Sequence, residues 1–186
     1  MAPPIVRQRR RMSNGSANLS VWVGDKLVCI KIAGRASFQG SVDFKRLVNS
    51  LWQQGQTRFV LDLSECQIMD STFLGVLAGL GLQFSQERNG NHPATLELLN
   101  PSHRVFDLID NLGIAHLFQV HQGQAPCTDN LSPVAKTGGK PDRTETTRTC
   151  LEAHKLLMEI NPANVSKFKD VTRFLEEDLK KFNAPG

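Results

Sequence analysis

Three side chains that can carry chemistry lie close together in the middle of the chain, between Phe59 and Leu77. Asp62 stands at or near the end of a short apolar run of buried-strand type, and Asp70 with Ser71 stands where a helical pattern begins. Two nearby carboxylates could form an acid–base pair or bind magnesium. Ser71 is a natural helix cap, because its hydroxyl can accept a hydrogen bond from a first-turn amide. Structural roles at a strand end and a helix start are the simpler explanation of these residues.

The elements around these residues alternate between strand-like and helix-like patterns. Two β-branched runs joined by a short polar turn predict a hairpin that Gly34 ends, and apolar residues at the 3.6-residue period predict helices. The order β-β-α-β-α-β-α-β indicates an α/β layer with partly parallel strands. The predicted strands are 19–23, 26–33, 58–63, 94–99 and part of 114–120; the predicted helices are 42–54, a segment from 70 that fades at 88, and a segment that starts at 100–102.

The chain divides into four segments. Residues 1–18 are expected to form a disordered basic arm, residues 19–120 a folded domain, and residues 121–143 a flexible linker. Residues 144–186 are helical again, with a break at Asn161-Pro162 and an apolar face on each side of the break. We expect this C-terminal helical segment to need a partner surface, because its charges cancel and its apolar faces must be covered.

The net charge of +4 comes from the arm and not from the predicted domain. Arg7, Arg9, Arg10 and Arg11 are four of the 22 basic residues, and the other 18 balance the 18 acidic residues. Four arginines without a folded basic face make a poor nucleic-acid binder, so we expect no nucleic-acid partner. No apolar run approaches the roughly 20 residues of a membrane helix. The arm does not resemble a secretory signal peptide, because the segment after it is polar and not apolar. We therefore expect a cytoplasmic protein without direct membrane contact.

The other candidate metal and phosphate sites are weak. The four cysteines include no CxxC pair, which argues against zinc, and their positions predict no disulfide framework. Gly75, Gly79 and Gly81 fall on one predicted helix, where they would permit close packing. We expect no metal and no cofactor. The histidines show no metal-ligand spacing and are expected to be solvated or capping side chains: His92, His103, His116, His121 and His154.

An ordered set of motifs runs through residues 19–120. The motifs are Phe59-Val-Leu-Asp-Leu63, Met69-Asp-Ser-Thr72, Leu74-Gly-Val-Leu77, Asn100-Pro101 before a helix, and Val105-Phe-Asp-Leu-Ile-Asp-Asn-Leu-Gly113. This set resembles the STAS-domain family, and specifically its bacterial anti-sigma factor antagonists. The resemblance implies a STAS-like small mixed β-sheet backed by α-helices, to which the C-terminal helical segment is an extension.

The resemblance implies a regulatory binding module and not an enzyme. In this family the serine directly after the aspartate is phosphorylated by a GHKL-type kinase that is also the anti-sigma factor, and a phosphatase reverses the modification. By position that serine is Ser71, with Thr72 as the second candidate. The unphosphorylated module would bind the anti-sigma factor kinase and so release a sigma factor. The side chains expected to contact the partner are Asp70, Ser71, Thr72, Phe73, Arg35 and Ser37.

Two departures from the family pattern leave an alternative open. Phe73 stands where the family usually has glycine, and it either fills the core or anchors a partner. The segment after Gly34 begins with Arg35, where the family often has an acidic residue. In the alternative, the STAS fold is a scaffold without phosphorylation, and the C-terminal helices form a homodimer or recruit another protein. A third hypothesis is an enzyme built on Asp62 and Asp70, which no convergent His, Cys or Lys supports.

Overall fold

The computed structural model describes residues 17–86, 93–126, 132–133 and 141–183. Within these ranges the chain forms seven strands and five α-helices. The strands are β1 (Asn18–Val23), β2 (Leu27–Ala36), β3 (Arg58–Asp62), β4 (Cys66–Met69), β5 (Thr95–Leu99), β6 (Gln119–His121) and β7 (Ser132–Pro133). The helices are α1 (Phe38–Gln53), α2 (Ser71–Gln86), α3 (His103–Asn111), α4 (Arg143–Ile160) and α5 (Val165–Asn183).

The strands form one mixed sheet in the order β6-β5-β3-β2-β1-β7, with β4 attached to the end of β2. β1 and β2 pair antiparallel as the predicted hairpin. The pairs β2–β3, β3–β5 and β5–β6 are parallel, because a helix crosses over between the two strands of each pair. The sheet therefore confirms the predicted α/β class with partly parallel pairing.

Two predictions at the end of β2 were wrong. Gly34 does not end this strand: its φ is +90°, the register shifts between Gly34 and Arg35, and the strand continues to Ala36 by pairing with β4 in parallel. The four residues of β4 were expected to be loop. The consequence is local to the candidate site, because the Asp70 amide, directly after β4, donates to the Ala36 carbonyl at 2.9 Å.

The main core lies between one face of the sheet and the helices, where alternate strand residues meet the apolar faces of α1, α2 and α3. A smaller cluster around Cys29, Val60 and Leu99 lies on the opposite face. Cys29 is disulfide-bonded, which the spacing of the cysteines in the sequence did not predict. The main core includes Ile30, Ile32, Phe44, Phe59, Leu61, Phe73, Leu77, Leu98 and Ile109.

The C-terminal helices pack on the domain that precedes them. α4 contacts α2 and α1, and α5 contacts α4. Ala153 and Leu157 of α4 belong to the main core cluster. The turn between α4 and α5 is anchored at the end of α3, because the buried Asn164 amide donates to the carbonyls of Leu112 (3.0 Å) and Leu157 (2.9 Å). The surface that the amphipathic segment was expected to need is therefore its own domain.

Much of the predicted arm and linker lies outside the described residues, namely 1–16, 127–131 and 134–140, so the division of the chain into four segments stays a prediction. Within the described part, β1 begins at Asn18 and α4 begins at Arg143. None of the helices described is both long and apolar enough to cross a bilayer.

Candidate functional site

Ser71 is the first residue of α2, and Asp70 is its cap. The Asp70 carbonyl accepts the Leu74 amide at 3.0 Å, and Asp70 Oδ1 accepts the Phe73 amide at 2.9 Å. This pair of bonds is the usual pattern of an N-cap aspartate. The expectation that Ser71 caps the helix was therefore wrong. Because Asp70 accepts the hydrogen bond of the first-turn Phe73 amide, the Ser71 hydroxyl is free to bond to another partner.

The second carboxylate oxygen of Asp70 ties the start of α1 to the start of α2. Asp70 Oδ2 accepts the Phe38 amide at 2.7 Å. Ser37 directly precedes Phe38, and Arg35 pairs with Ile68 of β4, two residues before Asp70. Arg35 is exposed, whereas the Ser37 hydroxyl is buried and has no hydrogen-bond partner among the described residues. Of these two predicted partner contacts, Arg35 alone offers an accessible polar group.

Thr72 and Phe73 point away from solvent. Phe73 has no exposed surface, and its ring centroid lies 4.9 Å from that of Phe44 on α1. Between the two alternatives for Phe73, core filling is correct, and the residue offers no surface to a partner. Thr72 is buried too, with its hydroxyl 3.6 Å from the Cys150 sulfur of α4. The expectation that Thr72 and Phe73 contact a partner was therefore wrong, because both side chains are buried.

The Ser71 hydroxyl contacts His154 of α4. Ser71 Oγ lies 2.8 Å from His154 Nε2, and His154 Nδ1 lies 2.7 Å from the Cys150 carbonyl oxygen. A carbonyl can only accept, so Nδ1 carries the proton. In the neutral imidazole Nε2 is then the acceptor, and the Ser71 hydroxyl donates to it. The result is a serine hydroxyl at a helix N-terminus whose proton is held by a neutral histidine.

The environment of His154 favours this neutral form. The side chain is buried, and its ring packs against Phe168 of α5 with centroids 4.9 Å apart. Burial lowers the pKa of His154 below its ordinary value of 6.5; the hydrogen bond to the Cys150 carbonyl and the nearby Asp70 charge oppose that shift. Burial likewise raises the pKa of the Cys150 thiol. Both groups of α4 are therefore uncharged at neutral pH.

The position of His154 predicts that acid destabilises the protein at this contact. Because the pKa of His154 is lower in the folded chain than in the unfolded chain, the unfolded state binds more protons once the pH falls below about 6.5. The thermal midpoint should therefore fall between pH 7.5 and pH 5.5, and His154→Gln should show a smaller fall. His116→Gln, at an exposed histidine, is the control. Equal pH dependence in all three proteins would contradict the assignment.

α4 approaches the first turns of α2 closely, at Gly75 and Gly79. A Cβ added at Gly75 would lie 2.6 Å from both the Cβ and the carbonyl oxygen of Ala153, and one added at Gly79 would lie 3.3 Å from Leu156. The prediction that these glycines permit close packing is confirmed. Ion pairs flank the contact: Lys45 with Glu152 at 3.1 Å, and Arg46 with Glu145. The N-terminal part of α2 therefore lies under α4.

His154 is the site residue that the sequence interpretation missed, because it was expected to be solvated or capping. The signal was its place on α4. His154 lies three residues after Leu151 and three before Leu157, and both leucines are buried. A histidine in register with an apolar helical face is buried with that face, and a buried imidazole needs hydrogen-bond partners.

The two aspartates do not form a joint acid site. Asp62 Oδ1 accepts the Ser64 amide at 3.0 Å, and both oxygens of Asp70 are engaged by backbone amides. Each carboxylate thus has the structural role that its position predicted. Within the described part of the chain, no group of three or more His, Cys, Asp or Glu side chains could hold a metal ion.

Several solved structures align with this chain at low sequence identity and with TM-scores below 0.5. TM1081 of Thermotoga maritima aligns with a TM-score of 0.49 and 17% identity over 55% of this chain and 85% of that one. An anti-sigma factor antagonist from Mycobacterium paratuberculosis gives 0.47 and 16% over 62% and 90%. The phosphorylated form of the Bacillus cell fate determinant SpoIIAA gives 0.43 and 19% over 56% and 90%.

These similarities do not extend to whole curated sequences, among which no significant match was found. The assignment therefore depends on the domain itself. The sequence model of the STAS domain matches residues 19–125, which is more than half of the chain. This range covers the sheet from β1 to β6 and the candidate serine at the start of α2. The chain therefore belongs to the STAS-domain family.

Proposed function

We propose that this protein is a regulatory binding module of the anti-sigma factor antagonist type, switched by phosphorylation of Ser71. One observation carries the proposal: Ser71 is the first residue of α2, and its hydroxyl is not used as the cap because Asp70 takes that role. In the proposed cycle, the unphosphorylated module binds an anti-sigma factor serine kinase of the GHKL type. The sigma factor is thereby released. Phosphorylation of Ser71 abolishes this binding, and a phosphatase removes the phosphate and so restores binding. The module would act in the cytoplasm.

The physical chemistry of a helix N-terminus supports a phosphate at this position. Phosphorylation adds about −1.5 to −2 charges, and the positive end of the helix dipole with its first-turn amides tolerates them. The sheet and the core under α2 would therefore stay folded. The new charge would stand beside Asp70, and a partner surface with acidic residues would be repelled. The switch would thus act at an interface, with Arg35 as a neighbouring contact.

The first test is the phosphorylation state of the protein from its native host. We expect intact mass to show one phosphate, and peptide mapping to place it on Ser71. Ser71→Ala should lose the phosphate, and Thr72→Ala, at the buried neighbouring hydroxyl, should keep it. The opposite pattern would assign the modification to Thr72. An unmodified wild-type protein under several growth conditions would overturn the switch.

The same variants test partner binding. Capture from the host with immobilised Ser71→Ala should retain a GHKL-type kinase constitutively, whereas Ser71→Asp and Ser71→Glu should not. If all three variants retain the same proteins equally, the charge at Ser71 does not control binding.

The second candidate is the scaffold function without phosphorylation. The outer face of α5 favours it, because Val165, Val171 and Phe174 of this helix are exposed. Such a face could hold a second copy of the chain or another protein. A homodimer in solution, combined with no phosphate on Ser71 and no captured kinase, would support this function over the first.

A further inference from the structure

We propose that α4 and α5 form a built-in cover of the Ser71 surface, which the neutral hydroxyl holds in place and a phosphate on Ser71 releases. The proposal rests on the proposed phosphorylation of Ser71 and adds the regulation of that site. Docking of the cover and binding of the anti-sigma factor kinase at Ser71 would then exclude one another. The unphosphorylated module would bind the kinase only in the fraction of molecules whose cover is open, and after phosphorylation the charge would repel the kinase although the cover is released. The C-terminal segment would thus set the affinity of the unphosphorylated module for its partner.

The space at the Ser71 hydroxyl is too small for a phosphoryl group while α4 is docked. Ser71 Oγ and His154 Nε2 are 2.8 Å apart, which leaves room for the shared hydrogen and not for a phosphoryl group. The imidazole cannot step aside within the closed structure. It is buried, it is held at Nδ1 by the Cys150 carbonyl, and it packs against Phe168 of α5.

Rotation of the modified side chain away from His154 also weakens the docking of α4. The buried Nε2 then loses the hydroxyl that donates to it, and a buried acceptor without a donor is costly. The phosphate would also stand close to Asp70, whose charge already acts on both His154 and Cys150. Either arrangement weakens the contact between α2 and α4.

The cover is held on α2 by close packing of the two helices. At Gly75 the backbone of α4 lies so close to α2 that even one added carbon would meet Ala153 at 2.6 Å. Contacts this close are lost together when two helices separate by a small distance. The ion pairs of Lys45 with Glu152 and of Arg46 with Glu145 are partly exposed and add little. The cover is thus sensitive to a change at one buried point.

The cysteines of the chain provide a direct measurement on the full-length protein. Cys150 of α4 is a free thiol beside Thr72, whereas Cys66 is a free thiol buried in the main core. Release of the cover should expose Cys150 and leave Cys66 protected. The experiment follows the rate of alkylation by iodoacetamide at each cysteine by peptide mass spectrometry.

The test compares Ser71→Glu with Ser64→Glu, which places the same charge at an exposed serine between β3 and β4. We expect Ser71→Glu to raise the alkylation rate of Cys150 at least about tenfold, because the cover must otherwise bury a charge. Ser64→Glu should leave the rate within about twofold of wild type, since exposed substitutions change little. An unchanged or reduced rate in Ser71→Glu would overturn the proposal, and a reduced rate would mean that His154 binds the charge.

Gly75→Ala and Gly79→Ala form a matched pair that shows what release looks like. Both substitutions favour the helix equally, yet only the methyl group at position 75 meets the backbone of α4. Gly75→Ala should raise the alkylation of Cys150, and Gly79→Ala should not. Equal rates in the pair would contradict the cover, and faster alkylation of Cys66 in either variant would identify unfolding instead.

The outcome separates this proposal from the proposed function. If Cys150 does not respond to Ser71→Glu, the cover fails even when native Ser71 carries a phosphate. If native Ser71 is never phosphorylated, the switch fails even when the charged variant releases α4.

Discussion

Replacing Phe73 with alanine is expected to lower the free energy of unfolding by about 3–5 kcal/mol, the usual cost of removing a buried aromatic side chain. Phe73 has no exposed surface, and its ring packs against Phe44. The cavity would open between α1 and α2, directly under the turn that carries Ser71. Since domains are stable by about 5–15 kcal/mol, this one side chain supplies a large share of the total.

Urea titration followed by circular dichroism measures this loss. An unchanged dependence of the unfolding free energy on urea concentration would show that the surface exposed on unfolding is the same in both proteins. The matched control is Phe174→Ala on α5, where the side chain is 57% exposed and the expected change is within about 0.5 kcal/mol. Similar losses for the two variants would contradict the position of Phe73 in the core. Because Phe73 is fully buried, the aromatic side chain at this position fills the core and creates no partner contact.

The spacing of apolar residues predicted most of the fold, because a half-buried strand buries every second residue and a helix buries residues at a period of 3.6. The hairpin and the five helices follow from apolar spacing and from Gly and Pro at their ends. β4 could not be found this way. It has four residues, and it exists because β2 bends at Gly34 and offers a free edge beyond the bend. Such pairing depends on the tertiary structure and leaves no periodic signal.

The candidate site was predicted in part for the same reason. The aspartate and serine at the start of α2 belong to one contiguous motif, so their position could be predicted. The contact of Ser71 with His154 joins residues that are 83 positions apart. An amphipathic face predicts that α4 must be covered, but it does not say by which surface. The choice of α2 depends on the shape at Gly75, which is set by the backbone of two packed helices.

Replacing Leu157 with alanine is expected to weaken the docking of the C-terminal helices by about 2–5 kcal/mol. Leu157 is fully buried in the main core cluster, and its carbonyl accepts the Asn164 amide that anchors the turn between α4 and α5. Because 1.4 kcal/mol corresponds to a factor of ten, hydrogen exchange of α4 and α5 amides should accelerate at least about 25-fold. Amides of β2, β3 and β5 should change much less.

The exchange rates of the α4 and α5 amides, compared with those of the sheet amides, show whether the two C-terminal helices open independently of the domain. Val171→Ala on α5 is the control, since this side chain is exposed and its loss should leave all exchange rates nearly unchanged. If Leu157→Ala accelerates the sheet as strongly as the helices, α4 and α5 unfold together with the domain. A cover of that kind could not leave Ser71 while the STAS fold persists, because local opening requires a lower free energy than global unfolding. Selective exchange in α4 and α5 would instead show that the domain can expose Ser71 and remain folded.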